Sequence, residues 1–533
     1  MPAMVIRDAL VETPRPDAGA IRRIAGRTGL PEATVRGWVS YYADLAEPPA
    51  VRVCTGTSCL LAGGDRVRAR LQDAGETCRG VYCLGYCDRS PAWMDRAGAV
   101  HMGEPPMVAD EARSLPDTRC LASIEVVAGR LRQGGAANLR RARELGVYAG
   151  LESTLRRSPA ELLDAMERSG NRGRGGAAFL TASKWRDCAG TPGELRYVIA
   201  NGDEGDPGSF IDRVLMEHDP HTIIEGMLLC GYAVGAGRGI VYIRSEYPRA
   251  IEVMGRAIEE ARAEGILSRP LAGSGFSFDL EVFAGMGSYV CGEESALIAS
   301  IEGLRGEVRI RPPYPTQHGL HGRPTVVNNV ETLANVPFIL HGGAEAYAAM
   351  GTDKTSGTKV VCFNRGFARP GMVEVEFGMS LRQLIEEVAG GGAEGRPLAA
   401  VIVGGPMGSL VTSDRWDQPM CYHALERAGI HLGHAGFVAV PEDADFEALL
   451  RHWMQFMIDE SCGKCVPCRL GSQGAANALD AGGGREAVEQ RLEPIFEVME
   501  QGSLCAFGQY MPGPMRGLLE HFGERIFAGK DNR

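Results

Sequence analysis

Eight of the chain's 15 cysteines fall into two spaced sets, and a fold that suits this sequence has to gather each set around one centre. The first set is Cys54-Thr-Gly-Thr-Ser-Cys59 and Cys83-Leu-Gly-Tyr-Cys87, a C-x4-C and a C-x3-C pair separated by 23 residues. Each pair lets two thiolates reach one metal centre, and a helix over Asp65 to Ala74 would bring the two loops together. Zinc pairs usually show C-x2-C spacing, so a 2Fe-2S cluster is the expected occupant, with structural zinc the alternative. The second set is Cys462-Gly-Lys-Cys465-Val-Pro-Cys468, with Cys505 downstream in SLCAFGQ. C-x2-C-x2-C wraps three thiolates around one face of a cube and leaves the fourth ligand to a distant loop, the usual 4Fe-4S arrangement, zinc again being the alternative. Gly463 permits the tight turn, and Lys464 and Arg469 can offset thiolate charge.

The remaining cysteines, Cys78, Cys120, Cys188, Cys230, Cys291, Cys362 and Cys421, sit mostly in apolar neighbourhoods and read as small buried hydrophobes. The start, MPAMVIRDALVETPRPD, lacks a basic region followed by an apolar one, and no apolar run approaches the roughly 18 residues of a membrane span. A cytoplasmic chain without a direct membrane span is therefore expected, where thiols serve metals or redox chemistry before disulfides. A net charge of −11 without basic runs argues against a nucleic-acid surface. The short LRRARE stretch, Leu139 to Glu144, reads as one solvated helix face. At 533 residues the chain has room for about three to four domains.

Much of the glycine, 71 residues in all, is concentrated in a few loops. Asn171–Phe179 (NRGRGGAAF) contains Gly173, Arg174, Gly175 and Gly176 and formally fits a dinucleotide fingerprint. The preceding SPAELLDAMERSG reads as a capped helix, which is the wrong context for that motif. What remains is a loop with exposed backbone N–H groups and two arginines, suited to a phosphate or a flavin, or else a plain interhelical loop. LRYVIA (195–200) reads as a buried strand running into Asn201-Gly-Asp203-Glu204-Gly205-Asp206-Pro-Gly-Ser-Phe210. A second strand, Leu280 to Phe283, runs into Gly285-Met-Gly-Ser-Tyr289-Val-Cys-Gly292-Glu293-Glu294 and a helical SALIASIEG. Ligands of α/β sheets bind at strand carboxyl ends, so both loops are site candidates, although an acidic pair alone is more often a solvated helix start. Over 357–440, KVVCFN, MVEVEF and AAVIVGG are short β runs beside SLRQLIEEVAGG, an order of strand, strand, helix, strand that suggests a small β-grasp domain. From about Phe446 the apolar spacing is helical, with Met and Trp expected in the core.

GRGGAAFLTASKW (173–185), NGDEGDPGSF (201–210), GMGSYVCGEE (285–294), RPPYPTQHGLHGRPTVVNNVET (311–332) and SCGKCVPCR (461–469) resemble the flavin-bearing, NADH-binding subunit of respiratory complex I. The same module occurs in NAD-reducing hydrogenases and NAD-dependent formate dehydrogenases. Residues 20–125 resemble the neighbouring thioredoxin-like 2Fe-2S subunit, including a helical lead-in, AIRRIAGRTGLPEATVRGWVSYYADL. The resemblance implies an α/β multidomain chain with a lead-in and thioredoxin-like 2Fe-2S domain over 1–125 and a Rossmann-like FMN- and NAD-binding domain over 126–350. A β-grasp domain over 351–440 and a helical 4Fe-4S domain over 441–533 would complete it.

It also implies roles by position. Gly173, Arg174, Lys184, Asn201, Asp203, Tyr289, Gly292, Glu293, Asn328 and Asn329 match the surroundings of FMN, and Gly175, Gly176, Glu204 and Gly205 in the same loops are expected to bind cofactor too. Phe179, Asp206, Glu294, Arg311 and Tyr314 match those of NAD. Cys462, Cys465, Cys468 and Cys505 match the 4Fe-4S ligands, and Cys54, Cys59, Cys83 and Cys87 the 2Fe-2S ligands. Asp206 stands where Glu is common, and Arg311 and Tyr314 replace a frequent Lys and Phe while keeping a cation and an aromatic platform. Asp187 falls where some members have a second aromatic, so adenine stacking is expected to rest on Phe179 and Tyr314.

The expected chemistry is hydride exchange between NAD(H) and FMN, with electrons then moving singly through the clusters, because a flavin can trade in both units. No general acid or base is needed; Asp206 and Glu294 would position the nicotinamide dinucleotide and repel a 2′-phosphate, favouring NAD(H) over NADP(H). Because the chain shows no oxidative half-site, it is expected to need a catalytic partner. Fusion of the two modules without a further C-terminal ferredoxin domain resembles the β (diaphorase) subunit of formate dehydrogenases with a molybdenum or tungsten α subunit, with small accessory subunits among the partners. The alternatives are the diaphorase of an NAD-reducing nickel-iron hydrogenase and complex I itself, where the two modules are usually separate chains. A structural or redox-sensing subunit would show missing ligands or a degraded flavin loop, and here both are complete.

Overall fold

The structure, a computed structural model, describes residues 16–46, 50–105, 114–271 and 274–528. Residues 1–15, on which most of the reading of the chain's start rests, lie outside the described residues. At the centre are four parallel strands in the order Asp279–Ala284, Arg238–Ile243, Tyr197–Gly202, Thr325–Asn329. Tyr197–Gly202 is buried except at Asn201, as expected of an apolar strand covered on both faces. Helices Ile211–His218, Pro220–Val234 and Pro248–Ala263 cover one face through residues such as Ile223, Met227 and Met254. The other face takes the lead-in. Helices Ala18–Thr28 and Glu32–Tyr41 place Ile21, Ile24 and Trp38 against Ile199, Ile240, Tyr242 and Phe283. The lead-in, expected with the first segment, therefore completes the core of the second.

The 2Fe-2S segment forms a sheet in the order Cys78–Val81, Val51–Cys54, Ala92–Met94, Val100–Met102. The spacer helix is Gly64–Asp73. Val51–Cys54 runs parallel to Cys78–Val81 with Cys54 opposite Val81, so one edge of the sheet delivers both cysteine loops. The third sheet has the order Ser409–Val411, Leu398–Val403, Gly436–Pro441, Thr358–Phe363, Gly371–Glu376, Thr118–Cys120. It contains the expected strand, strand, helix, strand order, with Leu384, Ile385 and Val388 of the helical segment Gln383–Val388 packed on it. Thr118–Cys120 lies inside the 1–125 segment in sequence but pairs with Gly371–Glu376, so that edge of the β-grasp sheet is built from distant chain.

Helices Phe446–Glu460, Val466–Asp480, Arg485–Gly502, Ala506–Tyr510 and Pro512–Ile526 form the C-terminal bundle. Trp453, Met454, Met457 and Phe496 are core residues, as the helical spacing implied. Each fully buried Met or Phe contributes roughly 1.5–3 kcal/mol. Trp453 Nε1 donates to Thr57 Oγ1 at 3.3 Å and so joins the bundle to the 2Fe-2S segment. SPAELLDAMERSG is helix Pro159–Ser169, with Ser158 and Glu161 forming a reciprocal capping box and Gly170 in the left-handed region after its end. Leu139–Glu144 is helical too. Of the seven scattered cysteines, Cys188, Cys230, Cys291, Cys362 and Cys421 are buried, and Cys78 and Cys120 half-buried.

Candidate functional site

Because the four central strands are parallel, their carboxyl ends share one edge. Asn201 pairs with Asn329 and Ala200 with Asn328, while Gly202, Ile243 and Ala284 align across the neighbouring strands. Loops 203–210 and 285–293 therefore leave the sheet side by side. Asn201 Nδ2 donates to Gly292 O at 2.8 Å, and Asn201 Oδ1 accepts from Asp203 N at 3.1 Å, so one side chain ties both loops. Asn328 Oδ1 accepts from Trp185 Nε1 at 2.8 Å, and Asn329 Nδ2 donates to Asp212. Glu293 caps helix Glu294–Ile301 by accepting from Ser295 N and Ala296 N at 2.9 and 3.0 Å.

The hollow between these loops fits a polar ligand. Asp203 Oδ2 is buried and has no hydrogen-bond partner, and a Cβ on Gly292 would stand only 3.3 Å from Asp203 O and 3.5 Å from Oδ2. Burial, only partly opposed by Arg244, lifts Asp203 well above the usual carboxylate range. A buried, unpartnered carboxylate costs free energy unless a ligand donates to it, which the hydroxyls of a flavin side chain can do. Tyr289 OH donates to Asp206, whose carboxyl is likewise raised by burial against the opposing pull of His434 and Tyr289.

A more open rim adjoins this hollow. Phe179 is 57% exposed and Tyr314 51%, two aromatic rings left in solvent. They precede helices Thr181–Gly190 and Pro315–His318, which an Asp187–Thr316 hydrogen bond joins. Asp187 thus braces the rim, leaving Phe179 and Tyr314 as the available stacking faces. Lys184 Nζ reaches Glu294 at 2.8 Å and Val327 O at 3.0 Å, and Arg311 lies 3.2 Å from Glu294 and 3.4 Å from Glu293. Burial raises Glu294, but Lys184 and Arg311 outweigh it and hold the carboxyl below its usual range. Its charge is thereby partly neutralised, which weakens the repulsion of a 2′-phosphate that the bare sequence suggests.

Arg174 departs from expectation. Its guanidinium is fully buried and donates to Thr358 O, Arg172 O, Ser356 O and Tyr347 OH, with Phe377 4.9 Å away. The side chain fastens the glycine loop to the β-grasp sheet and is not free for a phosphate. Within the loop Gly173 is roomy, whereas an added Cβ on Gly175 would meet Asn329 at 2.9 Å. Glu204 is also internal, accepting from Ser209 Oγ at 2.7 Å and from the N–H groups of Asp212 and Arg213.

Both cysteine sets converge. Cys83 and Cys87 sulfurs are 3.6 Å apart, Cys54 is hydrogen-bonded to Cys59, and Cys59 and Cys87 also feel each other and Cys54. Backbone N–H groups point at the sulfurs, Gly85 N to Cys83 at 3.3 Å and Gly208 N to Cys87 at 3.2 Å. In the other set Cys462 and Cys465 both lie close enough to act on Cys468, and Cys462 on Cys505, with Gly463 at φ +74° making the turn. Burial pushes Cys468 up to about 11 and Cys505 to about 12, so these thiols need a metal's charge to become thiolates. Thiolate-only sets with sulfur-directed N–H groups suit iron-sulfur clusters.

The connections between centres were invisible in the sequence. Arg244 donates to Glu204 O at 2.6 Å and to Tyr82 O at 2.9 Å, joining loop 203–210 to the residue before Cys83. The Tyr289 ring packs on Phe456 and Phe507, with centroids 5.0 and 5.8 Å away, and Tyr289 N donates to Glu460 at 2.9 Å. These residues lie on the bundle beside Cys462 and Cys505. No local motif marks Arg244, Phe456, Phe507 or Glu460.

Comparison with known proteins agrees with this layout. The Nuo51 FMN-binding domain family matches residues 166–338, the NADH-ubiquinone oxidoreductase-F iron-sulfur binding region 448–528, and the thioredoxin-like [2Fe-2S] ferredoxin family 16–102. The chain is 42% identical over 389 residues to the HndC subunit of the NADP-reducing hydrogenase of Solidesulfovibrio fructosivorans, covering 72% of this chain and 79% of that one. It is 39% identical over 422 residues to the F 2 component of the NADH-quinone oxidoreductase of Rhizobium meliloti, covering 79% and 96%. A solved NAD+-reducing [NiFe]-hydrogenase in the H2-reduced state superposes with a TM-score of 0.85 at 29% identity, over 100% of this chain and 93% of that one. Fold, site and comparisons define a flavin- and iron-sulfur-bearing oxidoreductase subunit. The chain belongs to the family of NADH-binding flavin subunits of complex I and related hydrogenases, carried here together with the thioredoxin-like 2Fe-2S domain. Its cofactors are FMN, NAD, a 4Fe-4S and a 2Fe-2S cluster. Among the described residues no helix is long and apolar enough to cross a membrane.

Proposed function

We propose that this protein is the diaphorase module of a larger enzyme, exchanging hydride between NAD(H) and FMN and passing electrons singly to or from a catalytic partner. When bound, FMN supplies the conversion between two-electron and one-electron transfer. Asn201, Asp203, Gly292, Asn328 and Asn329 hold the flavin at the strand ends, and Asp206, positioned by Tyr289, orients the nicotinamide end. Phe179 and Tyr314 stack the adenine, while Lys184 and Arg311 keep Glu294 ionised at the rim. Cys54, Cys59, Cys83 and Cys87 hold the 2Fe-2S cluster, and Cys462, Cys465, Cys468 and Cys505 the 4Fe-4S cluster. The observation that carries the reading is the buried, unpartnered Asp203 between two loops, one donating to Cys87 and the other packed on the bundle that carries the second cysteine set. The test is NADH-dependent reduction of ferricyanide or viologen by the isolated chain replete with FMN and iron; an inactive but fully loaded sample refutes it.

NAD(H) is the proposed nucleotide, and NADPH reducing the flavin with a comparable kcat/KM would overturn that choice. For the partner we propose a molybdenum or tungsten subunit that oxidises formate to reduce NAD+ in the cytoplasm, on the likeness of the fused modules to formate dehydrogenase diaphorases. A second reading, a nickel-iron hydrogenase partner, is favoured by the superposition of the whole chain on a protein from that class. Purification of the native complex with assay of Mo, W and Ni, and of formate- and H2-dependent NAD+ reduction, separates them. Nickel with H2 activity and no formate activity eliminates the formate partner.

A further inference from the structure

His434 lies in the turn before strand Gly436–Pro441, on the β-grasp side of the seam with the flavin loops. A Cβ added to Gly175 would stand 3.3 Å from its Nε2, and one added to Gly176 3.4 Å from Gly433. Its Nδ1 is shielded from solvent, has no hydrogen-bond partner, and lies 3.8 Å from both Glu204 Oε1 and Asp212 Oδ2. Both carboxylates are fully buried. Each also organises the proposed flavin site, since Glu204 accepts the N–H groups that start helix Ile211–His218, and Asp212 accepts from Asn329 Nδ2 and Glu331 N.

The charged groups around His434 are Glu204, Asp206 and Asp212 on the flavin side. The nearby cations are committed elsewhere, Arg244 to backbone carbonyls and Glu246, Lys359 to Glu331. Burial alone would pull the imidazole down, but the three carboxylates outweigh it and lift His434 to about 9, so the cation persists at neutral pH. Glu204 is held low, while burial and Glu204 push Asp212 up to about 8.

We propose that His434 is a positioning residue of the flavin centre, supplied by the β-grasp sheet, whose positive charge offsets Glu204 and supports the negative charge gained on flavin reduction. The inference rests on FMN occupying the hollow at the strand ends. A hydride brings two electrons and one proton, so oxidised flavin plus hydride is one unit more negative than before. Buried carboxylates facing that change oppose it, and a fixed cation among them relieves the opposition through a low-dielectric interior. This gives the β-grasp sheet a part in tuning the flavin as well as in packing.

The test uses the full chain loaded with FMN and both clusters, comparing parent, His434→Gln and His434→Gln/Glu204→Gln by spectroelectrochemical titration of the flavin at neutral pH, where Glu204 is the ionised partner. In the single variant the balance at fixed potential should move at least tenfold toward oxidised flavin, about 30 mV for a two-electron couple. The double variant, which removes one charge of each sign, should return to within about threefold of the parent, about 14 mV on the same conversion. Parental potentials in both variants, or an equal shift in both, overturn the proposal, the second outcome meaning a packing role. If the single variant loses FMN, its recovery by the double variant supports the charge role, and continued loss overturns it. A parent that takes up both clusters but no FMN overturns the flavin reading itself.

Discussion

Tyr289→Phe isolates one hydrogen bond at the nucleotide end of the site. The ring packing against Phe456 and Phe507 is kept, and only the hydroxyl that donates to Asp206 is lost. Asp206 is already raised by burial, and the Tyr289 hydroxyl, with His434, is among the groups that lower it. A hydrogen bond to a buried charged group contributes about 1.5–3 kcal/mol. At about 1.4 kcal/mol per pKa unit, its loss raises Asp206 by a further one to two units. If the ionised carboxylate orients the nicotinamide end, the acidic limb of the kcat/KM profile for NADH moves to higher pH by that amount, because this profile reports the free enzyme. Activity at the parent's acidic midpoint should then fall about five- to fifty-fold, with little change on the alkaline plateau. The assay is NADH–ferricyanide turnover from about pH 5 to 9 on FMN-replete protein, the range in which such limbs are read. A variant whose acidic limb stays within about 0.3 unit of the parent's would refute the linkage between Tyr289, Asp206 and nucleotide.

Other perturbations separate structure from chemistry. Cys468→Ser should remove the 4Fe-4S signal from electron paramagnetic resonance spectra while the 2Fe-2S signal and flavin remain; joint loss of both cluster signals in folded protein would contradict separate sites. Lys359 and Glu331 form a fully buried pair that bolts the β-grasp sheet to the helix after Asn329, so Lys359→Met should destabilise by about 3–5 kcal/mol in denaturant unfolding. Adding Glu331→Gln should restore much of this, and an additive double variant would argue against coupling. His218 is pulled down to about 3 by burial and by nearby arginines, so the unfolded chain binds its proton first and stability is lost as pH falls below about 6.5. His218→Gln should reduce the slope of stability against pH by about one proton between about pH 6 and 4; an unchanged slope would show that His218 is not the group responsible.

Loop chemistry was legible in the sequence because it is local. The spacing of Cys462, Cys465 and Cys468 closes around one centre whatever surrounds it, and Asn201–Phe210 follows an apolar strand directly, so both were found without a structure. The direction of the Arg174 side chain was not legible for the opposite reason: an arginine in a glycine-rich loop has the same local signature whether it faces a phosphate or a sheet, and only its buried partners, Tyr347, Ser356 and Thr358, distinguish the two. Glu294 shows the same limit, since its effective charge depends on Lys184 and Arg311 arriving from other segments.

By itself the sequence determined the cofactor classes, since these depend on residue type and short spacing. The tertiary structure decided where the segments meet: the lead-in helices on the central sheet, Thr118–Cys120 on the β-grasp edge, Arg244 and Gly208 on the 2Fe-2S loop, and Tyr289 on the bundle. It also decided how each buried charge is balanced. His434 between Glu204 and Asp212 depends on contacts between residues more than 200 positions apart in the chain, and burial there strengthens every electrostatic term. No periodicity or motif encodes such a contact.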